Sequence, residues 1–153
     1  MRNILDLKKN PDFLPQYVEL RNSYCELLLT HPVILSETIQ WLKWTTAEIH
    51  LIEEENCLLG VLLLYIDRNG EVALFTRKHN AGIGKNLLRV ADNIALSFSL
   101  PSIWSWIRAD NYKAVHVFEK SGYCFVKRED RIYDNKVISG IKYTKKLLGE
   151  PNV

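Results

Sequence analysis

The chain has 153 residues, enough to bury a core of its own, and its 47% apolar and 25% charged residues are ordinary for a globular protein. A formal net charge of +2 and the lack of a dense Lys/Arg stripe argue against nucleic acid as the main partner. The three cysteines, Cys25, Cys57 and Cys124, have no metal-ligand spacing and read as reduced thiols, so no metal is expected.

The first residues lack the apolar run of a signal peptide. The longest apolar stretch, residues 57–66, is half of the about 20 residues that span a bilayer. The expectation is a single domain over residues 1–153, cytoplasmic, with no membrane segment. Lys142, Lys145 and Lys146 read as a solvated strand end.

In chain order, Phe13, Tyr17, Leu20, Tyr24, Leu27 and Leu28 recur at helical spacing over residues 12–28, after a possible short strand at 3–7. A second helix is expected from Ser36, a good N-cap, through Ile39 and Leu42 to Trp44. Strands are expected over 48–53 and 57–67, and Asn69-Gly70 is a strong hairpin signal leading into a third strand over 71–76.

Leu87, Leu88, Ala91, Ile94, Ala95 and Phe98 then form a helical stripe closed by Pro101. Residues 102–108 alternate as a strand, with Trp104 and Trp106 on one face and Ile103, Ser105 and Ile107 on the other. Asp110 or Asn111 can cap a helix to about residue 120, which Gly122 ends. Two last strands, 123–128 and 137–147, form a hairpin. The order α-α-β-β-β-α-β-α-β-β implies a mixed sheet covered by helices.

The stretch HNAGIGKNLL, residues 79–88, places Gly82 and Gly84 between a strand and a helix. Free amides at a helix N-terminus suit a pyrophosphate, and glycine lets it approach the backbone. An ordinary strand–helix turn would look the same. The second motif, DNYKAVHVFEKSGYCF over residues 110–125, decides between them.

Together the two stretches resemble the GNAT superfamily of acyl-CoA N-acyltransferases. Its phosphate loop reads Q/R-x-x-G-x-G/A, and its later helix reads N-x-x-A-x-x-x-Y-x-x-x-G-F/Y. Asn111, Ala114, Gly122 and Tyr123 match the later pattern in register. The resemblance implies an α/β (mixed α+β) fold: a mostly antiparallel sheet of six to seven strands, about four covering helices, and two central parallel strands that splay apart.

It also implies acetyl-CoA as cosubstrate. The coenzyme's arm would lie along Leu74, Phe75 and Thr76, and its pyrophosphate on His79, Asn80, Ala81, Gly82, Ile83, Gly84 and Lys85. Asn111, Ala114 and Phe118 would form the far wall. Two residues depart from the family: His79 stands for the usual Gln or Arg, and Phe118 stands where many members carry a proton-donating Tyr.

Acetyl transfer needs a neutral amine, a polarised carbonyl and a stabilised thiolate. The resemblance places a base at Glu71, although Glu71 could merely flank the turn. A backbone N–H near residues 74–76 could hold the oxyanion. Tyr112, Tyr123 and His116 are near enough in sequence to be considered as acids. Tyr123 is the side-chain choice, His116 being expected in solvent.

Arg21, Asn22, His31, Trp41, Trp44 and the loop over residues 130–136 are the polar and aromatic candidates for holding the acceptor. Arg21, Asn22, Trp41 and Trp44 are foremost, since Trp rings pack on sugar faces and Arg pairs with phosphate. LRNS at residues 20–23 and Trp41-Leu42 resemble enzymes that acetylate nucleotide-linked amino sugars. The expected function is therefore an acetyl-CoA-dependent N-acetyltransferase acting on a small-molecule amine, by preference such a sugar. A protein or peptide amine, a non-catalytic acyl-CoA-binding module, and an ATP- or NAD-binding domain are the alternatives. The C-terminal hairpin has exposed-strand potential, which points to a homodimer.

Overall fold

The computed structural model describes residues 1–77 and 82–148. Its main sheet combines strands from both ends of the chain. β1 (Arg2–Asp6) is followed by the helices α1 (Leu14–Asn22), α2 (Cys25–Leu28) and α3 (Leu35–Trp44). β2 (Glu48–Glu54), β3 (Cys57–Tyr65) and β4 (Glu71–Thr76) form a meander that leads into α4 (Ile83–Ser97). β5 (Ser102–Arg108), α5 (Tyr112–Lys120), β6 (Cys124–Arg128), β7 (Arg131–Tyr133), β8 (Lys136–Ile138) and β9 (Gly140–Lys146) complete it.

Seven strands join in the order β1-β2-β3-β4-β5-β9-β6, with β7 and β8 as a separate hairpin. Every neighbouring pair is antiparallel except β4 and β5, which are parallel. This is the mixed, mostly antiparallel architecture expected.

Both faces of the sheet are covered, which explains why β3 is buried continuously from Leu58 to Leu64 rather than alternating. On one face, Leu62, Leu64 and Val72 pack under the α4 stripe Ile83, Leu87, Leu88, Ala91 and Ala95, with Phe118 of α5. Leu51, Val61, Leu63 and Phe75 pack on the other face under Leu14, Tyr17 and Leu20 of α1, with Trp41 of α3 against them. Each fully buried Leu contributes about 1.5–3 kcal/mol over an exposed one, so the two layers hold the sheet independently of any ligand.

Four local expectations change. The first helical stretch is broken at Ser23-Tyr24: Ser23 Oγ donates to the Leu20 carbonyl at 2.6 Å, and Leu29 ends α2 in the left-handed region at φ +54°. α3 starts at Leu35, so Ser36 lies inside it and is not its cap.

The Asn69-Gly70 signal marks a longer connection than a two-residue hairpin. A 3₁₀ turn over Ile66–Arg68 intervenes, Tyr65 pairs with Glu71, and the Gly70 amide returns to the Tyr65 carbonyl at 3.1 Å. The strand expected over 137–147 is split at Ser139. Its first part turns back on β7 through Asp134 and Asn135, both at positive φ, and β9 inserts between β5 and β6.

Candidate active site between beta4 and beta5

The parallel ladder between β4 and β5 consists of one pairing, Glu71 with Trp104. The Trp104 amide donates to the Gly70 carbonyl at 3.1 Å, and Ser105 Oγ donates to the Val72 carbonyl at 2.8 Å. Beyond that point the strands part. The Arg77 amide bonds towards β3, at 2.8 Å from the Leu59 carbonyl, so alternation turns the main-chain groups of Leu74 and Thr76 into the gap.

The gap opens into a cavity of about 900 Å³. One wall is Leu74, Phe75 and Thr76 of β4 and Arg77 just after it, with Gly82, Gly84 and Lys85 at the start of α4. The opposite wall is a stripe of α5 and its ends, Asn111, Ala114, Val117 and Ser121, with Lys113, His116 and Lys120 at the rim. Glu19, Leu20, Ser23, Tyr24 and Leu27 of the α1–α2 corner close the third side.

At the α4 end the site is made of backbone. Gly82 caps the helix at φ +90°, a conformation that an L side chain resists, and as glycine it supplies no side-chain cap. The amides of Ile83, Gly84 and Lys85 belong to the first turn of α4, where a helix leaves its N–H groups without intrahelical partners. A Cβ at Gly84 would lie 3.2 Å from Val117 Cγ1, so glycine also lets α5 approach α4 closely. Amides, helix dipole and the rim lysines give this end of the cleft a chemistry suited to phosphate groups, as the cradle implied by the resemblance requires. His79, Asn80 and Ala81, assigned to the same cradle, lie outside the described residues.

Asn111 and Ala114 line the far wall of the cavity, and Asn111 Oδ1 also caps α5 by accepting from the Ala114 amide at 3.4 Å. Phe118 does not line it. Its ring is 3% exposed and meets Tyr123 edge-on at 4.8 Å within the α4–α5 core. Helical spacing leaves 118 beside 114, but its ring turns to the α4 side of α5 and packs into the core with Leu87, Leu88 and Tyr123.

Tyr123 is likewise remote from the gap. It is 3% exposed, and its hydroxyl has no hydrogen-bond partner among the described residues. Burial, with the Asp92 carboxylate, pushes its phenol well above the usual range. Asp92 itself pairs with Lys145 at 2.6 Å.

Glu71 sits where the two strands still pair, on the β4 face shared with Ala73 and Phe75, and it does not line the cavity. Arg68 Nη1 reaches its carboxylate at 3.1 Å while the guanidinium covers the Tyr65 ring at 4.2 Å. Burial raises the Tyr65 phenol above its ordinary value, with Arg68 opposing.

The four foremost acceptor candidates do not converge. Arg21 Nη1 donates to the His31 carbonyl at 3.0 Å, and Asn22 is bonded both ways to Val33 at 2.9 Å, so both hold the segment before α3. Trp41 stacks on Tyr17 at 6.3 Å, and Trp44 is 71% exposed beside it on a separate hollow of α3. His116 is exposed, as expected, but at the rim of the cavity.

Tyr24, Leu27, Val117 and Ser121 are cleft residues that sequence reasoning missed. Extending the 111/114 stripe by helical steps reaches Val117 and Ser121. Tyr24 gave no such signal, because its spacing is that of a core residue.

Away from the cleft, Asp6, Glu48 and His50 bring potential ligand atoms within 4.8 Å of one another. Asp6 Oδ1 accepts from the Lys8 amide there, and Glu48 meets His50 at 3.4 Å. No helix among the described residues is long and apolar enough to cross a membrane.

Known structures share this fold. An N-acetyltransferase from Staphylococcus aureus Mu50 superposes with a TM-score of 0.85 at 16% identity, covering 97% of this chain and 99% of its own. A Salmonella typhimurium protein solved with its cofactor acetyl-CoA gives 0.83 at 12% identity, over 99% and 96%. Spermidine N-acetyltransferase from Vibrio cholerae, in complex with CoA and spermine, gives 0.81 at 16% identity, over 95% of each chain. No curated protein matches the sequence significantly. Residues 14–123, which run from α1 to Tyr123 and include the whole splayed gap, match the acetyltransferase (GNAT) family. The chain belongs to that family, and it is an acetyl-CoA-dependent N-acetyltransferase.

Proposed function

We propose that the acceptor is the primary amine of a compact small molecule and that the splayed gap is where it meets the acetyl thioester. The observation that carries this is the single Glu71–Trp104 pairing, which leaves the β4 edge free to bind an extended arm as an added strand. Acetyl-CoA supplies the activated acetyl group. Leu74 and Thr76 offer main-chain groups to its arm, and the amides of Ile83, Gly84 and Lys85 hold its pyrophosphate. The Leu74 N–H, fixed in a partly closed cleft, is placed to steady a developing oxyanion. Glu71, at the point of splay but behind the cavity wall, is the proposed acceptor of the amine's proton, through water.

Compactness of the acceptor is supported by how the α1–α2 corner is tied down. Arg108 Nη1 donates to the Glu26 carbonyl at 3.3 Å and Tyr133 donates to the Thr30 carbonyl at 2.6 Å. The His31 ring stacks on Tyr133 at 5.2 Å and meets Asp134 at 2.9 Å. The β7–β8 hairpin thus latches onto the segment before α3, and an extended peptide would have to displace it. The Trp41–Trp44 hollow on α3 lies apart from the gap, which removes the aromatic platform that favoured a sugar.

Coenzyme A release from acetyl-CoA, followed with a thiol reagent, tests the assignment. The panel is spermidine, phosphinothricin, a nucleotide-linked amino sugar and a peptide with N-terminal alanine. Turnover is expected with a compact amine and not with the peptide. Preferential turnover of the peptide overturns the acceptor assignment.

A further inference from the structure

The position on α5 from which a phenol could serve the departing sulfur holds Phe118, and Phe118 and Tyr123 are both turned into the core. The cleft nevertheless contains a phenol from another element. Tyr24 is the only tyrosine among the described residues that line the cavity. We propose that the Tyr24 hydroxyl is the group that stabilises and protonates the sulfur that leaves during acetyl transfer. This rests on the assignment of the gap to acetyl-CoA.

Tyr24 is positioned for that task by the break between α1 and α2. Its amide donates to the Arg21 carbonyl at 3.0 Å, and its ring lies 5.8 Å from that of Phe75, the β4 residue beneath it. Its hydroxyl donates to the Thr76 carbonyl, one of the main-chain groups on the free β4 edge. That carbonyl has two lone pairs, so an arm amide can bond to it while the phenol oxygen stays alongside. In coenzyme A only two methylene groups separate the last amide nitrogen from the sulfur. Rotation of the O–H about its C–O bond then redirects the proton from Thr76 to the sulfur without moving the ring.

The other donors lining the cleft are less well placed. Ser23 Oγ is engaged by the Leu20 carbonyl at 2.6 Å. Ser121 lies a turn beyond Val117, whose side chain faces Gly84, and so belongs to the phosphate end. Lys113, His116 and Lys120 are exposed at the rim.

The step balances. The amine nitrogen bonds to the acetyl carbon, the carbon–sulfur bond breaks, and sulfur takes the electron pair. Tyr24 gives its proton to sulfur and is restored by the proton that the nitrogen sheds, relayed by solvent or Glu71. The products are the amide and the free thiol.

The test does not require turnover. Bound coenzyme A is titrated with pH, reading thiolate absorbance in the ultraviolet, in the wild-type protein and in Tyr24→Phe. A donor to the charged form lowers a pKa, so the bound thiol should ionise about tenfold more readily than in free coenzyme A, and Tyr24→Phe should abolish most of that shift. With whichever amine is turned over, Tyr24→Phe should lower kcat by about 100-fold and leave the KM for acetyl-CoA within about threefold.

A bound thiol that titrates identically in both proteins overturns the proposal, and a lowered melting temperature with an unchanged thiol shows a merely structural clamp on Thr76. A wild-type complex whose thiol titrates like free coenzyme A overturns it irrespective of how the variant folds. If coenzyme A binds neither protein, the assignment of the gap itself fails, and the proposal with it.

Discussion

The wall formed by β4 and the start of α4 meets the cleft with main-chain groups, whereas the α1–α2 corner facing it contributes side chains. On the first wall, Leu74 and Thr76 expose strand edges and Gly82 opens a helix end without a side-chain cap. On the second, Tyr24, Leu27 and Ser23 come from a corner whose break is set by a serine bonding back to its own helix. Main-chain sites depend on where glycines and strand ends fall, so many sequences can build them. Side-chain sites depend on which residue a corner happens to direct inward. A main-chain wall therefore tolerates wide change in sequence, as the fold itself does at 12–16% identity, whereas a side-chain wall does not.

The largest expected effect separates the wall from its backing. Phe118 is core and does not line the cleft, so Phe118→Ala should cost about 3–5 kcal/mol of stability, read by urea denaturation. The surviving folded fraction should bind coenzyme A with little change. A variant of full stability that had lost coenzyme A affinity would return Phe118 to the wall and break the division.

A smaller effect is expected on the main-chain wall. Gly82→Ala forces an L residue to φ +90° with open space around its Cβ, so the cost is backbone strain of about 1–2 kcal/mol rather than a clash. Relaxing that strain re-aims the first amides of α4, and the coenzyme A dissociation constant should rise up to about tenfold by calorimetry. Unchanged affinity in a destabilised variant would show that these amides do not hold the phosphates.

What the sequence made legible follows the same division. The Gly82/Gly84 turn and the 111/114 stripe of α5, which line the cleft, were legible because helix ends and helical periodicity are local properties. Strand order escaped notice in one respect: β9 inserts between β5 and β6, an arrangement fixed by distant pairing. The acceptor residues were misjudged for a related reason. Arg21 and Asn22 carry polar groups suited to a ligand, yet both bond to carbonyls and amides of the segment before α3. Tyr24 was read as core because its spacing matches the buried stripe of α1, and only the corner at Ser23 turns its hydroxyl onto Thr76.

The smallest effect concerns the backing of the α5 wall, and it appears only in alkali. The Tyr123 phenol, with an ordinary value of 10.0, is raised by burial and by Asp92, so the folded protein keeps it neutral where the unfolded chain would ionise it. Above about pH 10 the unfolded state therefore binds fewer protons than the folded one, and stability should fall by about 1.4 kcal/mol per pH unit from this residue. Below that pH both states are protonated and the group contributes no slope.

Tyr123→Phe removes a buried hydroxyl that lacks a partner among the described residues, so near neutral pH the variant should be as stable as the wild type. Above pH 10 its stability should decline less steeply, by one proton's worth, while the similarly raised Tyr17 continues to contribute in both proteins. Denaturation midpoints compared across pH 9–11 measure the difference. Parallel curves would mean that the Tyr123 hydroxyl reaches water or the cleft, and that the core behind α5 is more open than its packing shows.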